Sequence, residues 1–247
     1  MIRFRPLLWP TLATLAALAL LIALGTWQLE RRQWKHDLID RVTERTEARP
    51  VALPDPSSWP TLDPAAWEYR PVVARGVFDD QAETLVFTSL PDPKGPHGGP
   101  GYWVMTPLAL AGGGTVLVNR GFVPARAKSP AARAEGRVDG IRRVEGLLRL
   151  SERPGLFTPE PAADTWYVRD VAGIARARGI ADPAPFFVDA LGGAPGGLPQ
   201  GGETRLDFRD DHLGYALTWY GLAAALAVVY LAFHRARGRF GRARADG

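Results

Sequence analysis

Residues 7 to 24 read LLWPTLATLAALALLIAL and residues 213 to 233 read LGYALTWYGLAAALAVVYLAF, and these two uncharged runs decide the architecture. The first extends through Trp27 to the roughly 20 residues that a bilayer core requires. Pro10 falls in its first turn, where a missing N–H costs little. Tyr215, Trp219 and Tyr220 stand at the start of the second run, as interfacial anchors do. The sequence therefore predicts transmembrane helices over 7–27 and 212–233, with an outer domain over 28–211 between them. A cleaved signal peptide is the alternative for the first run, since Arg3 and Arg5 precede it and Ala23-Leu24-Gly25 is a weak small-x-small site. The run is longer than a usual signal core, and no clean A-x-A closes it.

Charge orients the two spans. Arg235, Arg237, Arg239, Arg242 and Arg244 follow the second run, against Arg205 and Arg209 shortly before it, which predicts a basic cytoplasmic tail over 234–247. Two spans then place residues 1–6 in the cytoplasm as well, and the central domain outside it. The same tail explains why 30 basic residues face 26 acidic ones, for a net charge of +4. The basic balance is that of a membrane flank, and no nucleic-acid partner is expected. The chain has no cysteine, which excludes disulfides, thiolate zinc sites, cysteine-ligated clusters and thiol catalysis.

Between the spans, Glu30 to Glu47 is charged and poor in turn residues, so the first helix is expected to continue beyond the membrane. Pro50, Pro54, Pro56, Pro60 and Pro64 then make an extended linker. From Glu68 onward, short β-rich runs alternate with turns: 69–78, 83–90, 102–108, 115–123, 138–150, 166–169 and 186–189, with one helix over 171–178. The expected fold class is a membrane protein of α+β type, two terminal transmembrane helices flanking a mainly antiparallel β barrel or sandwich. The 94–100 loop and the Gly/Pro-rich 192–202 stretch read as flexible surface loops.

Enzyme chemistry is not expected. The four histidines form no H-E-x-x-H or similar cluster, and no G-x-S-x-G elbow or P-loop is present. The outer mouths of the two spans stand out instead. Trp27, Arg31 and Trp34 recur at i, i+4 and i+7 on the first helix, and His212, Tyr215, Ala216 and Trp219 make a comparable stripe on the second. Opposite chain directions bring both stripes to one depth, where they could line an interfacial crevice. The tryptophans and tyrosines can equally be headgroup anchors. The His212 imidazole could ligate iron, and apolar walls with nearby cations suit a haem whose propionates face arginines.

Four ordered blocks carry a resemblance. They are Gly25-x-Trp27-Gln28-x-x-Arg31-x-x-Trp34-Lys35, Gly76-x-Phe78, Val118-Asn119-Arg120-Gly121-Phe122-Val123-Pro124, and His212-Leu213-x-Tyr215-x-x-Thr218-Trp219-Tyr220-Gly221. With the two terminal spans, they make the chain similar to the Surfeit-locus-one (Shy-one) family, which assists assembly of haem-copper cytochrome c oxidase, respiratory complex IV. The resemblance implies a chaperone for haem a, acting with the oxidase catalytic subunit and the haem a synthesis machinery. It implies His212 as ligand of the haem iron; Trp27, Gln28, Arg31, Tyr215 and Trp219, in or beside the crevice stripes, are the residues expected around the cofactor. A cofactor-free scaffold for an oxidase subunit is the alternative. The short stretch before the first span is expected of a bacterial inner-membrane member with a periplasmic domain. Phe122 stands where some relatives carry Trp, which keeps an aromatic ring. Asn119-Arg120-Gly121 reads as a tight turn.

Overall fold

A computed structural model describes residues 2–162, 164–204 and 210–242. In chain order its elements are β1 (Ile2–Phe4), α1 (Leu8–Glu47), β2 (Val51–Ala52), α2 (Pro64–Trp67), β3 (Pro71–Phe78), β4 (Thr84–Leu90), β5 (Gly99–Leu110), β6 (Thr115–Pro124), β7 (Arg142–Leu150), β8 (Thr165–Trp166), α3 (Val171–Arg178), β9 (Pro183–Ala190), α4 (His212–Ala236) and β10 (Phe240–Arg242). The chain divides into two compact units, one formed by residues 1–41 with 207–247 and one by residues 42–206.

In the first unit, α1 and α4 are both long and apolar enough to cross a membrane, by length and composition. Only 6% and 11% of their most apolar windows are buried by protein. Each aliphatic side chain left exposed to water forfeits about 1.5–3 kcal/mol, so such a surface is compatible with a lipid covering. As expected, α1 runs on through the charged segment without a break, ending at Glu47 before Pro50. At the other end of the pair, β1 and β10 form a short antiparallel ribbon that the hydropathy pattern does not announce. Beside it the fully buried His234 is satisfied at both nitrogens. Its Nδ1–H donates to the Tyr230 carbonyl at 3.0 Å, and its Nε2 accepts from the Leu7 amide at 3.1 Å. Arg205, Arg209 and Arg244, used above to orient the spans, lie outside the described residues.

The second unit is a barrel rather than a sandwich. β3, β7, β9, β6 and β5 pair in that order, and β3 returns to β5 to close the ring. Gly76 permits the closure: a Cβ there would lie 2.1 Å from the Ala109 carbonyl oxygen, so a larger residue would push the two strands apart. β4 and β8 extend the sheet from the other half of β5's edge, and β2 extends it from β3. Residues of even number on β6 and β9 face inward, where Val116, Val118, Phe186 and Val188 meet Val72, Ala74, Leu108 and Leu148. The odd-numbered Leu117 and Phe187 pack outward beneath Val171 and Ile174 of α3. That covering explains why nearly every residue of β6 is buried.

The sheet is mainly antiparallel, as expected, although β6 and β9 pair in parallel, because the crossover through α3 returns the chain to the end at which β6 began. Several other expectations need correction. Tyr69 adopts a φ of 64° and cannot extend β3, while 138–141 precedes β7 as coil. The proline linker is not simply extended, since it carries a 3-10 turn over Pro56–Thr61 as well as α2. Trp59 enters the barrel from it, edge-on to Phe186 at 5.9 Å, with its indole N–H donating to the Pro54 carbonyl. The 94–100 and 192–202 stretches are stitched to each other by two buried side chains rather than left loose. Gln200 accepts from the His97 amide and donates to its carbonyl, and Glu203 accepts from the amides of Lys94 and Gly95.

Candidate functional site

Gln28, Arg32 and His36 recur at i, i+4 and i+8 on α1, and all three reach the segment that opens α4. The Gln28 carbonyl oxygen lies 2.8 Å from His212 Nδ1. An amide oxygen can only accept, so Nδ1 carries the proton and the lone pair resides on Nε2. Nε2 has no hydrogen-bond partner among the described residues. The His212 amide donates to Asp210 Oδ1 at 3.1 Å, while Asp210 Oδ2 accepts from His36 Nε2 at 2.7 Å and from Arg32 Nε at 3.3 Å. The His36 hydrogen bond holds the Asp210 carboxyl below its ordinary value; burial opposes this, and the His212 amide and Arg32 reinforce it. One carboxylate thus ties both sides of the helix pair to the residue that presents the imidazole.

One turn deeper, Thr26 Oγ1 and the Tyr220 hydroxyl lie 3.2 Å apart. Gly25 lets the Tyr220 ring approach, since a Cβ there would fall 2.7 Å from it. Ala216 is buried on the same face of α4 as His212 and Tyr220. Hence the face of α1 that meets α4 carries Gly25, Gln28, Arg32 and His36, about 140° round the helix from the Trp27, Arg31 and Trp34 stripe. Trp27, Trp34 and Tyr215 are about half exposed, Arg31 lies 4.8 Å over the Trp34 ring, and Trp219 is partly buried. Of the six residues singled out from the sequence, the structure joins His212 and Gln28 directly. Trp27, Arg31, Tyr215 and Trp219 have no hydrogen bond or ring contact to that pair among the described residues. Arg32, His36 and Asp210 were missed. The four-residue spacing from Gln28 and the acid two positions before His212 are the signals that could have found them.

An imidazole oriented through one nitrogen, with the other unengaged among the described residues, can serve as a donor to a transition-metal centre. No group of three His, Cys, Asp or Glu able to hold a bare ion occurs among the described residues. A centre bound here would have to bring most of its own ligands.

The Asn119-Arg120-Gly121 motif is not a turn but the buried middle of β6. Asn119 Nδ2 donates to Asp189 at 2.8 Å, and Asn119 Oδ1 accepts from the Gly121 amide at 3.1 Å. Asp189 also accepts from Arg149 at 3.2 Å, Arg169 at 3.3 Å and Thr204 at 3.1 Å. Burial alone would pull the Arg169 guanidinium down; Asp189 and Glu152 hold it above its ordinary value. Gly121 has a φ of 130°, and a Cβ on it would lie 2.1 Å from the Gln200 carbonyl oxygen. It lets residue 200 bridge to Phe122 through two backbone hydrogen bonds of 2.8 Å.

Comparison with known proteins returns a single picture. The model of the SURF1 family matches residues 15–224. Surfeit locus protein 1 of Homo sapiens is 40% identical over 223 residues, covering 84% of this chain and 71% of that protein. The Takifugu rubripes protein of the same name is 39% identical over 225 residues, covering 85% and 90%. A SURF1-like protein of Monosiga brevicollis is 36% identical over 241 residues, covering 92% and 88%.

Proposed function

Because the chain belongs to the SURF1 family, we propose that it is an assembly factor for haem-copper cytochrome c oxidase that holds haem a at the mouth of its helix pair and aids its insertion into the catalytic subunit. The observation that carries the cofactor reading is the His212–Gln28 pair, in which one imidazole nitrogen is fixed and the other left with its lone pair. Haem would bring most of the ligands of its own iron, so a single imidazole from the protein would suffice where a bare ion would need a cluster.

The residues at the helix mouth fit such a group. His212 would present Nε2 to the iron, and Gln28 would keep the imidazole in the required tautomer. Trp27 and Tyr215 expose rings suited to the edge of a large flat apolar molecule, and Arg31 supplies a cation for a propionate. Apolar surface on α1 and α4 supports insertion in a bilayer, and the arginines after Phe233 support a cytoplasmic side for both termini of a bacterial inner-membrane protein. The central domain would then contact the oxidase subunit, and partners of haem a synthesis would deliver the cofactor. The protein would bind and release without turnover.

Purification from cells that make haem a tests the reading. The native protein should carry a haem absorption spectrum that His212→Ala abolishes, and an unchanged spectrum and stoichiometry in that variant would refute the ligand. A preparation free of haem that still captures the oxidase subunit would favour the scaffold instead.

A further inference from the structure

A cavity of about 250 Å³ opens at the end of the barrel where β3 and β9 finish and β7 starts. Phe78, Val118, Val144 and Ala190 make its apolar wall, and Arg120 and Arg142 are its basic members. Arg143 and Glu145 also border it, but they pair with each other at 3.0 Å and cancel.

Arg120 is unusual for a structural arginine. It lies on the inward face of β6, two residues from Val118, and is only 6% exposed, with its guanidinium 4.7 Å over the Phe78 ring. Nη1 donates to Asp80 at 2.9 Å and Nη2 donates to the Gly136 carbonyl, while Nε has no partner among the described residues. Burial pushes the guanidinium below its ordinary value even though Asp80 and Glu83 pull the other way. The carboxylates nearby therefore fall short of replacing the water this cation has lost. Arg142 donates to the Asp139 carbonyl and has no carboxylate partner among the described residues. A charged group flanked by an apolar wall, with donor capacity left over, is how small-molecule sites in barrel mouths are built.

We propose that this barrel mouth binds a small carboxylic acid, its carboxylate toward Arg120 and Arg142 and its apolar body against Phe78, Val118, Val144 and Ala190. Volume sets the size. A cavity of about 150 Å³ takes up benzene, so this one holds a ring or chain of roughly six to eight carbons. The inference is independent of any cofactor at the helix mouth.

Hexanoate is the probe, added to the intact detergent-purified protein and followed by calorimetry and by chemical-shift changes of labelled Val methyls. Saturable binding is expected, with hexanamide at least tenfold weaker because it lacks the charge. Ala190→Leu, which fills the wall, should weaken hexanoate at least tenfold, and Arg142→Gln, an exposed change, should weaken it severalfold. If Ala190→Leu fails to fold, the acid and amide comparison on the parent protein still decides. Equal affinity for acid and amide, no saturation with hexanoate, or binding that Arg142→Gln leaves untouched would each overturn the proposal. So would a peptide ending in a leucine carboxylate that binds where hexanoate does not, since that assigns the mouth to a protein terminus.

Discussion

Replacing Gly121 by alanine should unseat the segment around Gln200 from the barrel. Two costs add. A φ of 130° lies where L-residues are strained, which costs about 1–3 kcal/mol. The new methyl would also sit 2.1 Å from the Gln200 carbonyl oxygen and 2.3 Å from its carbon, and backbone cannot swing aside as a side chain can. Relief requires residue 200 to move away, lengthening both 2.8 Å bonds to Phe122, each worth about 0.5–1.5 kcal/mol net. Together these give roughly 2–6 kcal/mol, or a fall in Tm of about 4–24 °C at about 2–4 °C per kcal/mol for a domain of this size. Thermal unfolding followed by circular dichroism measures it, with Gly112→Ala as control. Gly112 has no positive φ and nothing within 4 Å of its ideal Cβ, so that control should stay within about 0.5 kcal/mol of the parent. A Gly121→Ala protein as stable as the control would refute the reasoning, because the clash would then have been absorbed at no cost.

Asp189→Ala removes the carboxylate shared by Arg149 and Arg169 and should destabilise the barrel by about 3–5 kcal/mol, read as a shift of the urea midpoint. Acid should weaken the same region through Glu152. Burial raises its pKa, but the hydrogen bonds and charge of Arg169 outweigh that and hold it below the ordinary 4.5. Its stabilisation is therefore complete above about pH 5 and lost as pH falls through the lower folded value. The stability difference between parent and Glu152→Gln should shrink on acidification, and a difference that grows would reverse the sign of the shift. Gln28→Leu frees the His212 ring to change tautomer, and haem affinity in reconstituted protein should drop about 10- to 100-fold, while Gln28→Glu, which still accepts from Nδ1, should retain most of it.

The two long apolar helices, the continuation of the first to Glu47, the seven strands and α3 were legible because each depends on local pattern, whether charge-free length or alternation. What escaped depends on partners distant in sequence. Parallel pairing of β6 with β9 follows from where α3 delivers the chain, and no feature of Pro183–Ala190 itself encodes it. Asn119-Arg120-Gly121 has the composition of a turn, and its burial in a strand becomes visible only once Asp189, Asp80 and Gln200 converge on it. At the helix mouth, family resemblance pointed to His212 and Gln28, but aromatic periodicity drew attention to the neighbouring face of α1. A stripe shows which residues share a face and leaves open which face meets the partner helix. That face here is set by small Gly25 and by the hydrogen-bonding residues below it.

The place of β9 in the ring bears on how this protein is made. It sits between β6 and β7, so the last strand of the barrel to be synthesised is the one that closes the ring. A nascent chain halted before Pro183 would carry bare edges on both neighbours, the condition in which strands recruit other chains. Premature termination in this stretch should thus leave material for proteolysis rather than a shortened working barrel.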